Sequence, residues 1–396
     1  MIRTHVRMLL LAVIMLLMLP AYVLAADDNV ESDTIEDIDW EIRSQLGGYD
    51  LSEWQSELDA MEWDVFKGET ASDIIYQQAA GEAAIEPGET LESILGMVRS
   101  ELASNLGLLA GFLCSALIGG FADILIGGKE KSGLKTLTGF ICYGLAVGLV
   151  VYALGRMAGI AGKAIGGISN LTEAVLPVMT TMLSAAGGIE ANAAISPLLA
   201  FLSSTVIKVI QSLIVPIVLA GGVLALINNL TGRAQLGQLY SLSKNSAKWI
   251  LGFMFTLYIG ITAISGIAVS SVSGLSLKTA KFAIDKFVPI IGGMVSGTVD
   301  TVMGCSMIVK NAAGIASILI AVGRVASPLI QIACTMFTLR IAAAICEPIA
   351  ASSLPKMLSS VADIAGYLFA AVIGCGLMFI ITMGIIIGTG NIYISG

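Results

Sequence analysis

The chain has 396 residues, 56% of them hydrophobic and only 13% charged, with a mean hydropathy of +0.89 and a net charge of −8. Soluble domains carry about 25% charged residues, so this composition excludes a string of soluble enzymatic domains and makes lipid the solvent for most of the length. Its single histidine, His5, lies near the start, and the six cysteines form no CxxC pair, which removes the commonest general base and the usual zinc and disulfide frameworks.

Arg3 and Arg7 form a basic start, residues 8–19 are apolar, Pro20 breaks the run, and Val23-Leu24-Ala25 fits a signal-peptidase site. The apolar stretch is shorter than the roughly 20 residues of a spanning helix, so residues 1–25 read as a signal peptide. Residues 26–100 are acidic, opposed only by Arg43, Lys67 and Arg99. Such a flank crosses a membrane readily and disfavours nucleic acid as a partner. Its first part, 27–39, is acidic and poor in large apolar side chains and is expected to be disordered. From Trp40 to Tyr76 the apolar positions recur at helical spacing, which predicts short amphipathic helices. Pro87 and Gly88 then break the chain ahead of Thr90, a candidate N-cap.

Residues 101–390 read as a multi-spanning helical domain, followed by a short tail, 391–396. Spans are expected at 102–126, 137–154, 249–272, 287–309, 312–336 and 361–387. Lys129, Lys131 and Lys135 place the first connecting loop in the cytoplasm, with the N-terminal region outside. The segment 168–230 is ambiguous: 168–189 contains Glu173 and Pro177, and 195–227 contains Lys208, Pro197 and Pro216. Keeping the loop of Arg233, Lys244 and Lys248 inside favours one crossing plus a re-entrant or broken helix, for about six or seven spans in all. Residues 278–286 read as a basic interfacial helix. The fold class is therefore all-α, a polytopic helical membrane protein with a signal peptide and a small extracytoplasmic domain that is part helical and part disordered.

Among the 44 glycines, the pairs 144/148, 155/159, 162/166, 293/297 and 384/388 stand four apart within apolar runs. They are read first as packing within the subunit and second as a subunit interface. No phosphate loop, nucleophile elbow or HExxH motif occurs, and neither a catalytic residue, a cofactor nor a metal site is expected. What remains is a set of ionisable residues in apolar sequence: Asp123, Lys208, Asp300, Lys310, Arg324, Arg340 and Glu347. Each costs about 2.5–3.5 kcal/mol at a helix centre, so each is expected to face a partner or water. Lys310 falls at the end of its run, as an interface marker would. Arg340 and Glu347 stand seven apart, on one face if the helix continues, although Pro348 argues that it soon stops.

The stretch Lys278-Thr279-Ala280-Lys281-Phe282-Ala283, with Phe287-Val288-Pro289-Ile290-Ile291-Gly292, Asp300-Thr301, Lys310-Asn311-Ala312, Glu347-Pro348 and Asn228-Asn229-Leu230, resembles the stage III sporulation protein AE family. The likeness is best from Pro216 to Pro348. It implies a multi-pass protein of the mother-cell membrane in an endospore former, facing the forespore. It also implies membership of an oligomeric channel or secretion-like complex with the other proteins of its operon, including an AA-type ATPase, and with stage II sporulation protein Q. The expected function is a non-enzymatic membrane subunit of that complex, needed for late forespore development. The alternative is an ion-coupled secondary transporter or permease with a midplane site at Lys208 and Asp300, beside a helix broken near Pro216. Transporters of that kind carry inverted repeats, and the sequence shows none.

Overall fold

The computed structural model describes residues 35–63, 66, 68–82, 87–125, 132–231, 234–272, 292–349 and 353–389. The signal-peptide region, the basic stretch 278–286 and the tail 391–396 lie outside them, as do the side chains of Asp123 and Asp300.

All described elements are helical. Three short helices, α1 (Ile35–Leu46), α2 (Ser52–Asp59) and α3 (Ala71–Ala79), form a small N-terminal domain. Helix α1 begins inside the stretch expected to be disordered, so the ordered domain starts earlier than its composition suggested. The start of α3 is fixed by a capping box: the Thr70 hydroxyl accepts from the Asp73 amide, and the Asp73 carboxylate accepts from the Thr70 amide. Trp54, Leu58, Phe66, Ile74 and Ile75 make its buried core, and Arg43 stacks 3.9 Å above the Tyr76 ring.

Six long helical passes follow among the described residues. The first is α4 (Pro87–Ser104) with α5 (Leu106–Leu125); the others are α6 (Ser132–Ala185), α7 (Ile189–Thr231), α8 (Ala234–Val272), α9 (Gly292–Cys346) and α10 (Ser353–Gly388). Helix α4 starts at Pro87 rather than at an N-cap on Thr90, because proline suits the first helical position, where its missing N–H is no loss. Each pass contains a segment apolar and long enough to cross a membrane. The count of six agrees with the lower of the two expected numbers, but the spans are divided differently. Residues 168–185 are neither re-entrant nor broken; they continue α6 through Pro177. Helix α7 likewise runs unbroken through Pro197 and Pro216, so the helix break expected near Pro216 is absent. The runs 287–309 and 312–336 fall, from Gly292 onward, in the single helix α9.

Passes consecutive in the chain run antiparallel, whereas α10 lies parallel to α8, as the pairs Tyr240–Ser360 and Tyr258–Met378 show. The α6–α7 turn closes in a Schellman pattern, with the Gly188 amide on the Leu183 carbonyl (2.9 Å) and the Gly187 amide on that of Ser184 (3.0 Å). Gly187 sits at φ +90, a backbone state that only glycine adopts without strain. One end of the bundle gathers the helix ends at Leu125, Ser132, Thr231, Ala234, Cys346 and Ser353, and the Gly187 turn and the end of α10 lie at the other.

Helix α10 is the centre of the bundle and touches α6, α7, α8 and α9. It is the most apolar and the most buried of the six candidate spans. Gly374 lets the Phe255 ring of α8 lie directly on its backbone, and Gly221 admits Ile364 in the same way. At 54 and 55 residues, α6 and α9 are about 80 Å long at 1.5 Å per residue. That is well over twice the roughly 30 Å thickness of a bilayer's hydrocarbon core.

Candidate functional site

Among the described residues, five settings in the bundle hold charged side chains with partners, and each is created by the approach of different elements. The first joins the N-terminal domain to the bundle. Arg324 of α9 extends beside Gly167 of α6, where a side chain would block it. Its guanidinium meets the Glu57 carboxylate at 3.3 Å and donates to the Ala60 carbonyl. Next to it, Glu62 accepts from Ser327 and Gln331, both at 2.9 Å. The fully buried Trp54 donates its indole N–H to the Ala174 carbonyl of α6 at 3.2 Å. Ser306 of α9 donates to Gln45 at 3.1 Å. Burial pushes the Glu57 carboxyl above its ordinary range, and Arg324 pulls against that shift.

Lys310 provides the second setting. It lies inside α9 rather than at a helix end, fully buried, and donates to the carbonyls of Ile386 (3.2 Å) and Ile387 (2.9 Å). These belong to the last turn of α10, whose carbonyls have no partner within the helix, and a cation there also complements the helix dipole.

In the third, Asp363 of α10 is shared by Arg340 of α9 (3.0 Å) and Lys244 of α8 (3.2 Å). One carboxylate thus holds three helices together and leaves a net positive charge. The expected alignment of Arg340 with Glu347 along one helix does not occur, because α9 ends at Cys346 and Glu347 is exposed beyond it. The fourth setting is Glu101 of α4 with Arg156 of α6, at 2.7 Å. In the fifth, Lys208 of α7 pairs with Glu173 of α6 at 2.8 Å, on the outside of the bundle, with side chains 62% and 51% exposed.

Sequence reasoning singled out Lys208, Lys310, Arg340 and Arg324 but missed the acids that meet three of them: Glu57, Asp363 and Glu173. The signal for Asp363 was present, since it is the sole carboxylate of α10. Among the described residues no group of three or more His, Cys, Asp and Glu could hold a metal ion. The six cysteines are free thiols, five buried and Cys114 exposed. A buried hydroxyl cluster of Ser203, Tyr258 and Thr382 ties α7, α8 and α10 together, and Tyr258 donates to the Met378 carbonyl at 2.9 Å.

The bundle and the last short helix of the N-terminal domain are the region that known proteins share. A family model described as stage III sporulation protein AE matches residues 70–390. The stage III sporulation protein AE of Bacillus subtilis (strain 168) is 26% identical over 312 residues, covering 79% of this chain and 78% of that protein. No solved structure matches. Since the matched span runs from α3 to the last turn of α10 and takes in every helical pass, the chain belongs to the stage III sporulation protein AE family.

Proposed function

We propose that this sporulation-family protein is a non-enzymatic membrane subunit of a channel or secretion-like complex that links mother cell and forespore. The observation that carries the reading is the clamp of an acidic helical domain onto a six-pass bundle through Arg324, Glu57 and Glu62. The domain is held rigidly against α6 and α9, in a position to present its acidic surface to other proteins rather than to enclose a reaction site. The helix ends that the lysine-rich sequence joins, Leu125 and Ser132, and the cations Lys244 and Lys248 near the start of α8 sit toward one end of the bundle. By the positive-inside rule that end is cytoplasmic, the mature N-terminus is extracytoplasmic, and residues 1–25 are the export signal. The partners on this reading are the other proteins of the stage III operon, an AA-type ATPase that supplies energy, and stage II protein Q.

Deletion of the gene in the spore-forming host tests the reading. The expected result is completion of engulfment followed by arrest of late forespore gene expression, restored by the intact chain. Normal late spores from the deletion strain would overturn it.

A further inference from the structure

We infer that the exposed face of α6 and α7 around Glu173 and Lys208 is the contact surface for a second copy of this chain. The two residues pair at 2.8 Å yet leave more than half of each side chain uncovered. They lie within the candidate spans Gly139–Ala185 and Ile189–Asn229. Along α7 the outer surface around Lys208 mixes the exposed hydroxyl residues Thr205 and Ser212 with large apolar side chains, Phe201 68% exposed before them and Leu213 43% exposed after them. A carboxylate and an ammonium group set in such a surface are costly against lipid. The face needs a cover that is itself polar.

A second observation concerns the glycines of α6. Gly144, Gly148, Gly155 and Gly159 are all exposed, and a methyl group added at any of them would meet nothing within 4 Å. At 100° per residue they fall within about 60° of one another, on the same side of α6 as Glu173. Glycines that pack within the subunit look different. Gly221, Gly222, Gly314 and Gly374 each lie against a side chain of a neighbouring helix. The paired spacing of the α6 glycines therefore serves no packing inside the subunit, and it leaves a smooth track along which a second helix backbone can approach closely.

The charges identify the occupant. Glu173 and Lys208 touch, so they stand at one height on neighbouring helices. A two-fold axis parallel to the bundle then sets Glu173 of one copy opposite Lys208 of the other, and each charge gains a second partner of opposite sign. A two-fold contact uses the same patch twice and needs this self-complementarity, whereas a partner of single-sign charge would leave one of the two residues uncompensated. The inference rests on the bundle geometry alone and stands whether or not the sporulation role proposed above is correct.

The test uses the full-length chain with the exposed Cys114 changed to serine, reconstituted in vesicles of phosphatidylethanolamine and phosphatidylglycerol. Single cysteines are introduced by Gly155→Cys and Gly159→Cys, where there is open space, and by Phe253→Cys on the exposed side of α8 as a control. The expected result is oxidative cross-linking to a dimer at 155 and 159 but not at 253. The double change Gly155→Leu with Gly159→Leu lowers the dimer fraction about tenfold, with the thermal unfolding of the monomer unchanged. Lys208→Glu alone lowers it too, and adding Glu173→Lys restores it. A parent protein that is monomeric at every protein-to-lipid ratio would overturn the inference. Equal cross-linking at 253, failure of the charge exchange to restore the dimer, or, in native membranes, cross-links at 155 and 159 only to a different protein would do the same.

Discussion

Arg324 and Glu57, far apart in the sequence, meet at 3.3 Å where the N-terminal domain docks on α9, with side chains only 18% and 15% exposed. The two are not equivalent. Burial of the Glu57 carboxylate outweighs its attraction to Arg324, since its pKa rises despite the cation. Arg324→Ala is therefore expected to loosen the domain by about 1–3 kcal/mol, because it leaves a buried acid without its cation and the Ala60 carbonyl without a donor. Glu57→Gln is expected to be tolerated. Limited proteolysis of the N-terminal domain in detergent micelles measures both.

The same shift sets a pH dependence. The docked state holds the Glu57 proton more tightly than the undocked state, so its share of docking stability is complete below the ordinary carboxylate value of 4.5. That share is lost as pH rises through the raised folded value. Protease resistance of the domain should accordingly fall across that window in the parent and stay flat in Glu57→Gln. An equal fall in both would refute the assignment.

Lys310 caps the last turn of α10 from a fully buried position. Lys310→Met keeps most of the volume but frees two carbonyls, while relieving the burial of an ammonium group. The expected net loss is about 1–2 kcal/mol in thermal unfolding. Lys310→Glu sets a negative charge against those carbonyls, and it should prevent recovery of folded protein altogether.

Asp363 predicts non-additivity. Asp363→Asn leaves Arg340 and Lys244 facing each other without their shared carboxylate, at an expected cost of about 1–3 kcal/mol. Adding Arg340→Met should return part of that loss, because it removes one of the two stranded cations. A double-mutant cycle on melting temperature provides the check. Strict additivity would mean that the three groups do not act together.

Glycine position separates core from surface along α10. Gly374→Leu must displace the Phe255 ring and is expected to destabilise by about 1–3 kcal/mol or more. Gly384→Ala, in open space on an exposed position, should stay within about 0.5 kcal/mol of the parent.

The membrane bundle was legible in the sequence because hydropathy is a local property, and each of the six passes contains an apolar run longer than a bilayer requires. The divisions between passes were less legible. Lys310 and Asn311 interrupt the hydropathy of α9 and looked like a boundary. In the bundle Lys310 is satisfied by carbonyls of α10, so the helix continues through it. Glu173 and Pro177 suggested a break in α6 for the same reason. Helix α6 passes through both, with Glu173 held by Lys208 of the neighbouring helix. The candidate charges Lys208, Lys310 and Arg340 were visible as residue types out of place, but their partners come from other helices, and no local pattern encodes which helices meet. Arg340 shows this most clearly. The sequence offered Glu347 seven residues on, whereas the bundle supplies Asp363 from the next helix.

The helix at the centre of the bundle also follows the other five described passes in the chain, so it leaves the ribosome after them. Until α10 is inserted, α6, α7, α8 and α9 have no common core to close around, and Lys310 has no carbonyls to cap. Closure of the bundle therefore waits for the synthesis of α10, and a chain cut short before that helix loses its centre rather than its edge.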